Sequence, residues 1–331
     1  MHTYLVDLLQ CPDCTGDLTW NFKRKSDNRI EEGMAVCEDC KSEYPVSRGI
    51  AVFLPTDGQR NDMWEQIDSQ FLVYLKEHPE IERKLMDTPV DKLNPADIFF
   101  RALVLEERGE HRLARELERM AEKGLYTREY LRCWQSQVEW ILGELSGTSG
   151  PVIDLASGRG YLIEKMARYL SNLIVATDFS PRVLMRDKIW FEEAGLSDRV
   201  SFLAVDARHT PFRDQSISAL TTNLGLPNIE HPQGLLTELR RIVRGKFLSI
   251  SFFYSRDDAA NAKALKEYGL DMFFLPETRE KFLAADWEID FANQCDAIAK
   301  PTPASEVLEG ATIDRFPVAE TTLKWSVIVA K

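Results

Sequence analysis

The stretch Val152-Ile153-Asp154-Leu155-Ala156-Ser157-Gly158-Arg159-Gly160-Tyr161-Leu162 constrains this chain more than any other. An apolar run ends in an acid, and small residues then lead straight into a helical pattern, so the segment reads as strand, tight turn and helix start. Gly158 and Gly160 carry no Cβ, and the first turn of the following helix presents unpaired N–H groups, so a ligand can approach the main chain closely. A dinucleotide fingerprint, G-x-G-x-x-G, would place its third glycine at position 163. Ile163 stands there, which argues against a pyrophosphate.

Two more apolar runs close on acids. Leu173-Ile174-Val175-Ala176-Thr177-Asp178-Phe179-Ser180-Pro181 ends with Ser180 as a helix N-cap and Pro181 at the first helical position. A carboxylate at that strand tip can accept both hydroxyls of a ribose. Val200-Ser201-Phe202-Leu203-Ala204-Val205-Asp206-Ala207 again alternates like a strand and ends in an acid. A fourth strand, 216–223, runs into Leu224-Gly225-Leu226-Pro227 and a helix from Gln233 to Val243 with Leu235, Leu236, Leu239 and Val243 on one face. A fifth strand spans Lys246 to Phe253, and two more follow around Trp287–Ala299 and Thr321–Ala330.

Asp154, Ala156, Gly158 and Gly160 in this register resemble motif I of class I S-adenosylmethionine-dependent methyltransferases, with Ala156 in place of the more usual glycine. The resemblance covers residues 150–331 and implies an α/β fold, a doubly wound Rossmann-like sheet of seven strands closed by a late hairpin. It implies that Asp154 helps seat the methionine moiety, that the backbone from Ala156 through Ser157 and Gly158 to Gly160 passes beneath it, and that Asp178 with Phe179 holds the ribose. Asp206 and Ala207 would meet the adenine, and Asn223, Leu224 and Gly225 would shape the wall beside the methyl. No base is compelled; His209 and His231 lie near these motifs and are read as loop or cap residues. Residues 300–318 form an insertion of unassigned purpose.

Near the other end, Cys11-Pro12-Asp13-Cys14 and Cys37-Glu38-Asp39-Cys40 form two CxxC knuckles separated by 22 residues. Paired knuckles holding one tetrahedral zinc are usually about 15–20 residues apart. Four thiolates close the metal's shell, so Cys11, Cys14, Cys37 and Cys40 predict a structural Zn2+. With their flanks, Leu8-Leu9-Gln10 and Tyr44 through Pro55, they resemble the zinc ribbon of the small activator subunit that partners tRNA and release-factor methyltransferases. A ribbon of this size buries little apolar surface alone, so its metal should supply most of its folding free energy.

The expected domains are a ribbon over 1–56, a helical cap over 57–149 and a methyltransferase domain over 150–331. In the cap, Leu113, Leu117 and Met120 recur at helical spacing and predict one buried stripe. Trp64, Phe71, Tyr74, Phe99, Phe100, Tyr126, Tyr130, Trp134 and Trp140 are dense there, core residues for the most part, some available to line an acceptor pocket. Cys133 and Cys295 are read as buried, inert thiols far apart. Charge counts against a nucleic-acid partner: the ribbon carries a net −3 and residues 57–150 a net −6, with Lys23-Arg24-Lys25, a solvated hairpin tip, as the one compact basic run. No run of 18 apolar residues suits a membrane span, and a cytoplasmic location is expected. The favoured expectation is methyl transfer from S-adenosylmethionine to a small-molecule or metabolite acceptor. An RNA or protein acceptor is one alternative, and a non-catalytic zinc-bearing adaptor with a degenerate methyltransferase fold is another.

Overall fold

The computed structural model describes residues 1–54 and 71–331, so Trp64 and the junction at 56/57 lie outside the described residues. The strands are β1 (Leu18–Lys25), β2 (Ile30–Cys37), β3 (Glu43–Ser47), β4 (Ile50–Phe53), β5 (Val152–Asp154), β6 (Ile174–Asp178), β7 (Val200–Val205), β8 (Ile217–Asn223), β9 (Val243–Phe253), β10 (Ile289–Ala299) and β11 (Thr321–Ala330). The helices are α1 (Pro79–Asp87), α2 (Pro95–Glu107), α3 (His111–Leu125), α4 (Arg128–Leu145), α5 (Tyr161–Tyr169), α6 (Pro181–Glu193), α7 (Pro232–Ile242), α8 (Ala259–Glu267) and α9 (Leu275–Leu283).

The eleven strands of the described residues join one sheet in the order β1-β2-β3-β4-β7-β6-β5-β8-β9-β11-β10. Strands β5 to β11 make the expected doubly wound half, parallel except for the hairpin of β10 and β11, which are antiparallel to each other and join the sheet through β11 antiparallel to β9. The strands β5, β6 and β7 are buried along their whole length, as strands packed on both faces must be. The start of α6 is as the sequence indicates, with the Ser180 hydroxyl oxygen accepting from the Val183 N–H at 3.3 Å and Pro181 in the first turn.

The ribbon is not a separate bead. β4 lies parallel to β7, with Ile50 opposite Phe202 and Phe53 opposite Val205, so the ribbon extends the catalytic sheet at its β7 edge. Leu5, Leu9 and Phe53 share one apolar cluster with Val175, Leu203 and Phe212. That shared core gives the ribbon a second source of stability beside the metal expected to supply most of it.

Helices α1 to α3 form a cap with its own apolar cluster, which also takes in Val307 and Leu308 from the 300–318 segment. That segment holds no helix or strand. It is fastened by Asp97 at the start of α2, whose carboxylate accepts from the Ser305 hydroxyl and from the N–H groups of Glu306 and Val307, both at 3.2 Å. Of the stripe expected on α3, Leu117 alone is buried; Leu113 and Met120 are 43% and 49% exposed. The buried face of α3 instead carries Ala114, Arg115, Glu118 and Ala121, because charged residues there find buried partners. Cys133 is buried on α4, whereas Cys295 is partly exposed at an irregularity in β10, and the two thiols meet despite their distance in sequence.

Candidate functional site

The strand tips that bear Asp154, Asp178 and Asp206 stand side by side at the carboxyl edge of the sheet, in the order β7-β6-β5, with β8 next to β5. In open α/β sheets ligands bind outside the carboxyl ends of strands, where the strand order reverses. All three residues are at most 7% exposed, and each carboxylate is fixed differently.

Asp154 accepts from the Thr221 hydroxyl of β8 at 2.6 Å, and burial pushes its carboxyl up to about 7. Asp178 accepts from the N–H groups of Gly158 at 2.9 Å and Ser180 at 3.0 Å, tying the motif I turn to the tip of β6. Asp206 is gripped by Arg208, whose Nε and terminal nitrogen donate to its two oxygens at 2.9 and 2.8 Å while the Arg208 N–H adds a third bond. Against the cost of burial, those bonds hold Asp206 below the usual carboxylate range. Arg208 therefore belongs to the site and was not singled out in the sequence, although its place two residues after Asp206 suits such a clamp.

The small residues divide by task. A Cβ on Gly158 would meet nothing closer than the Ala156 carbonyl at 4.0 Å, and its φ of +53° is left-handed, so this is the glycine that leaves the cradle open. Gly160 instead packs inward, since a Cβ there would come within 2.9 Å of Asp187 on α6. Gly225 presses the β8 turn against motif I: a Cβ on it would lie 2.7 Å from the Thr222 hydroxyl and 2.9 Å from the Ala156 Cβ. Ala156 itself sits at φ +50°, which accounts for glycine being the usual residue at that place. Ser157, Phe179, Ala207, Asn223 and Leu224 are all partly exposed. The Asn223 side-chain oxygen accepts from the Trp134 ring N–H at 3.0 Å, which brings α4 to the wall. His209 donates its N–H to the Asp206 carbonyl and His231 precedes α7, as loop and cap residues do.

Above the cradle, α2 and α3 are held by buried charge. Arg159, between Gly158 and Gly160, donates to Glu118 and to both oxygens of Glu106 at 3.1 and 3.3 Å. Arg115 bridges Glu118 and Asp187, each at 3.2 Å. Burial alone would raise Glu106 and Glu118, but the arginines outweigh it and hold both below the usual range.

The four knuckle sulfurs lie within 4.8 Å of one another, with Cys11 to Cys40 at 3.6 Å and Cys14 to Cys37 at 3.4 Å. A tetrahedral zinc with Zn–S bonds of about 2.3 Å sets sulfurs about 3.8 Å apart, so the donor set fits that ion. Asp13 accepts from the Ser42 and Tyr44 hydroxyls at 2.7 and 2.8 Å and braces the knuckles. The ribbon also reaches the loop after Asp206: Gln10 donates its N–H to the Pro211 carbonyl at 2.7 Å, and Arg213 donates its N–H to the Leu8 carbonyl at 3.0 Å.

Residues 153–247 match the family model described as methyltransferase domain, and residues 2–49 match the model described as Trm112p-like protein. The chain joins a Trm112p-like zinc ribbon to a class I methyltransferase domain. The ubiquinone/menaquinone biosynthesis C-methyltransferase of Pseudomonas fluorescens is 26% identical over 177 residues, covering 52% of this chain and 67% of that protein. The enzyme of the same description from Pseudomonas paraeruginosa is 32% identical over 127 residues, covering 37% and 48%. The Bartonella tribocorum enzyme is likewise spanned over about half its length, 48%. Among solved structures, a complex between the Haloferax volcanii Trm112 methyltransferase activator and a methyltransferase overlays with a TM-score of 0.42 at 20% identity, covering 59% of this chain and 90% of that one. No helix among the described residues is long and apolar enough to cross a membrane.

Proposed function

We propose that this protein transfers a methyl group from S-adenosylmethionine to a small-molecule acceptor, with its zinc ribbon serving as a built-in brace for the donor site. The observation that carries the reading is the juxtaposition of Asp154, Asp178 and Asp206 on adjacent strand tips around a turn in which Gly158 faces open space. Bound there, the donor supplies an electrophilic methyl on a sulfonium, and the protein's own part is orientation.

Asp178, aimed by two backbone N–H groups, would take the ribose hydroxyls. Asp206 would accept from the adenine amino group on lone pairs that Arg208 does not use, since a carboxylate has about four acceptor sites. Ala207 would lie against the ring. The backbone at Ala156, Ser157 and Gly158 would run beneath the methionine moiety, and Asn223, Leu224 and Gly225 would bound the methyl. Titration calorimetry on the zinc-loaded protein with S-adenosylmethionine and its demethylated product tests this. One site per chain, abolished by Asp178→Ala, is the expected outcome; absence of heat with both ligands refutes it.

The Trm112p-like match favours a second reading, an RNA or protein acceptor. Against it, Arg208 already serves Asp206, and Glu230 stands beside it. Labelled methyl from the donor, followed into the RNA, protein and small-molecule fractions of a cell extract, separates the two.

A further inference from the structure

The arginines that neutralise the buried acids of the cap stop short of two others. Glu122, one turn beyond Glu118 on α3, and Asp314, in the 300–318 segment, have no cation within ion-pairing distance among the described residues. Burial, with Glu118 nearby, lifts Glu122 to about 7, and burial also lifts Asp314, against the Tyr126 hydroxyl that donates to it at 2.8 Å.

Four aromatic rings touch these acids at one end and the Asn223 tip of β8 at the other. Tyr126 and Tyr130 stack at 4.7 Å, and Trp134 and Tyr161 meet edge to face at 5.9 Å. The Tyr161 hydroxyl faces Glu118 and Glu122. Trp134 holds Asn223 at the tip of β8, so the rings continue the wall of the proposed methyl site. All four remain partly exposed, as does each of the two acids. Beside Asp314, the hydroxyl of Tyr254, a residue 5% exposed, has no hydrogen-bond partner. Partly buried carboxyls with no cation beside them and an unused buried hydroxyl are costly, and aromatic faces attract cations. One ligand chemistry answers all of these features.

We propose that the methyl acceptor is an amine that enters as its ammonium form among Tyr126, Tyr130, Trp134 and Tyr161, with Asp314 anchoring it and Glu122 receiving its proton. This rests on the small-molecule methyltransferase reading. The N–H bond breaks and its proton passes to the Glu122 carboxylate. The freed nitrogen lone pair then forms the new N–C bond as the sulfonium C–S bond breaks and returns its electron pair to sulfur. The products are the methylated ammonium and the neutral thioether.

Zinc-loaded full-length protein is supplied with methyl-labelled donor and a matched panel: tyramine, tryptamine and spermidine against 4-ethylphenol, 3-ethylindole and 1,8-octanediol. Label should enter amines and not their neutral counterparts. Glu122→Gln should lower kcat about 100-fold, the upper share of a general base lying higher still, with donor affinity by calorimetry unchanged, and Glu122→Asp should recover part of it. Asp314→Asn should raise the amine KM about tenfold with kcat little altered, as loss of an anchoring charge does. Preference for a neutral member, transfer to none of the panel while the donor still binds, or amine transfer indifferent to Glu122→Gln each overturn the proposal. If the donor itself fails to bind, it is the methyltransferase reading that falls.

Discussion

Arg159 offers a direct test of how the cap is fastened to the donor cradle. Its side chain is buried, and it is paired with Glu118 on α3 and Glu106 on α2, with the Phe99 ring 5.8 Å from the guanidinium. Arg159→Met keeps the apolar stem and deletes the charge. Breaking a buried ion pair from one side costs about 3–5 kcal/mol, because the acid left behind is uncompensated. Here each acid keeps a second arginine, Glu118 its Arg115 at 3.2 Å and Glu106 its Arg186 at 3.5 Å. The lower end, about 3 kcal/mol, therefore applies. At about 2 °C per kcal/mol for a chain of this size, calorimetry should show a midpoint about 6 °C lower. Adding Glu118→Gln removes one of the stranded acids, so the double variant should lose at least about 1 kcal/mol less than the two single losses together. A single-variant loss under about 0.5 kcal/mol, or strictly additive losses, would show that the network is not what joins cap to cradle.

Other consequences follow from the same contacts. Asp154 keeps its proton in the folded chain up to about 7, against 3.8 as the ordinary value. The native state thus binds more protons than the unfolded chain across that window, and stability should fall as pH rises through it. Asp154→Asn, which preserves an acceptor for Thr221, should flatten that slope in urea midpoints taken across the window; an unchanged slope would count against burial as the cause. Gly225→Ala forces a Cβ into Thr222 and Ala156 and should cost about 1–3 kcal/mol. Gly158→Ala meets open space and should cost only about 1 kcal/mol from its left-handed backbone, so a reversed ranking in denaturation midpoints would contradict the assignment of the two glycines. Cys37→Ser should weaken zinc and donor together, because Gln10 beside the first knuckle holds Pro211 near the Asp206 tip; a donor affinity that ignores zinc loss would uncouple the ribbon from the site.

What could be read in the sequence and what could not divide along a physical line. Strands β5 to β8 are apolar runs that end in acids or amides because both their faces are covered and only their tips meet a ligand, so local pattern suffices. The CxxC pairs are legible for the same reason, since the metal imposes spacing on neighbours in the chain. The cap obeys a different logic: its buried face on α3 is Arg115 and Glu118, and charge on a helix reads as a solvated face unless the partners, Arg159 and Asp187, are known to lie opposite. The same blindness hid the 300–318 segment, which Asp97 holds by bonds to three of its residues.

The union of ribbon and sheet has its own trace in the sequence. Ile50-Ala51-Val52-Phe53 has three buried residues and one half-buried in a run of four, a pattern for a strand covered on both faces rather than for the rim of a small ribbon. A strand of that kind needs a partner on each side, β3 on one and β7 on the other. Pairing β4 to β7 covers the row of N–H and C=O groups that β7 would otherwise present as an open edge. It also fixes the strand whose tip carries Asp206. The metal domain thereby supports the donor site through the backbone pairing of β4 with β7 and through side chains packed under that edge, Leu5, Leu9 and Phe53 against Leu203 and Phe212, a role that no motif in the ribbon announces.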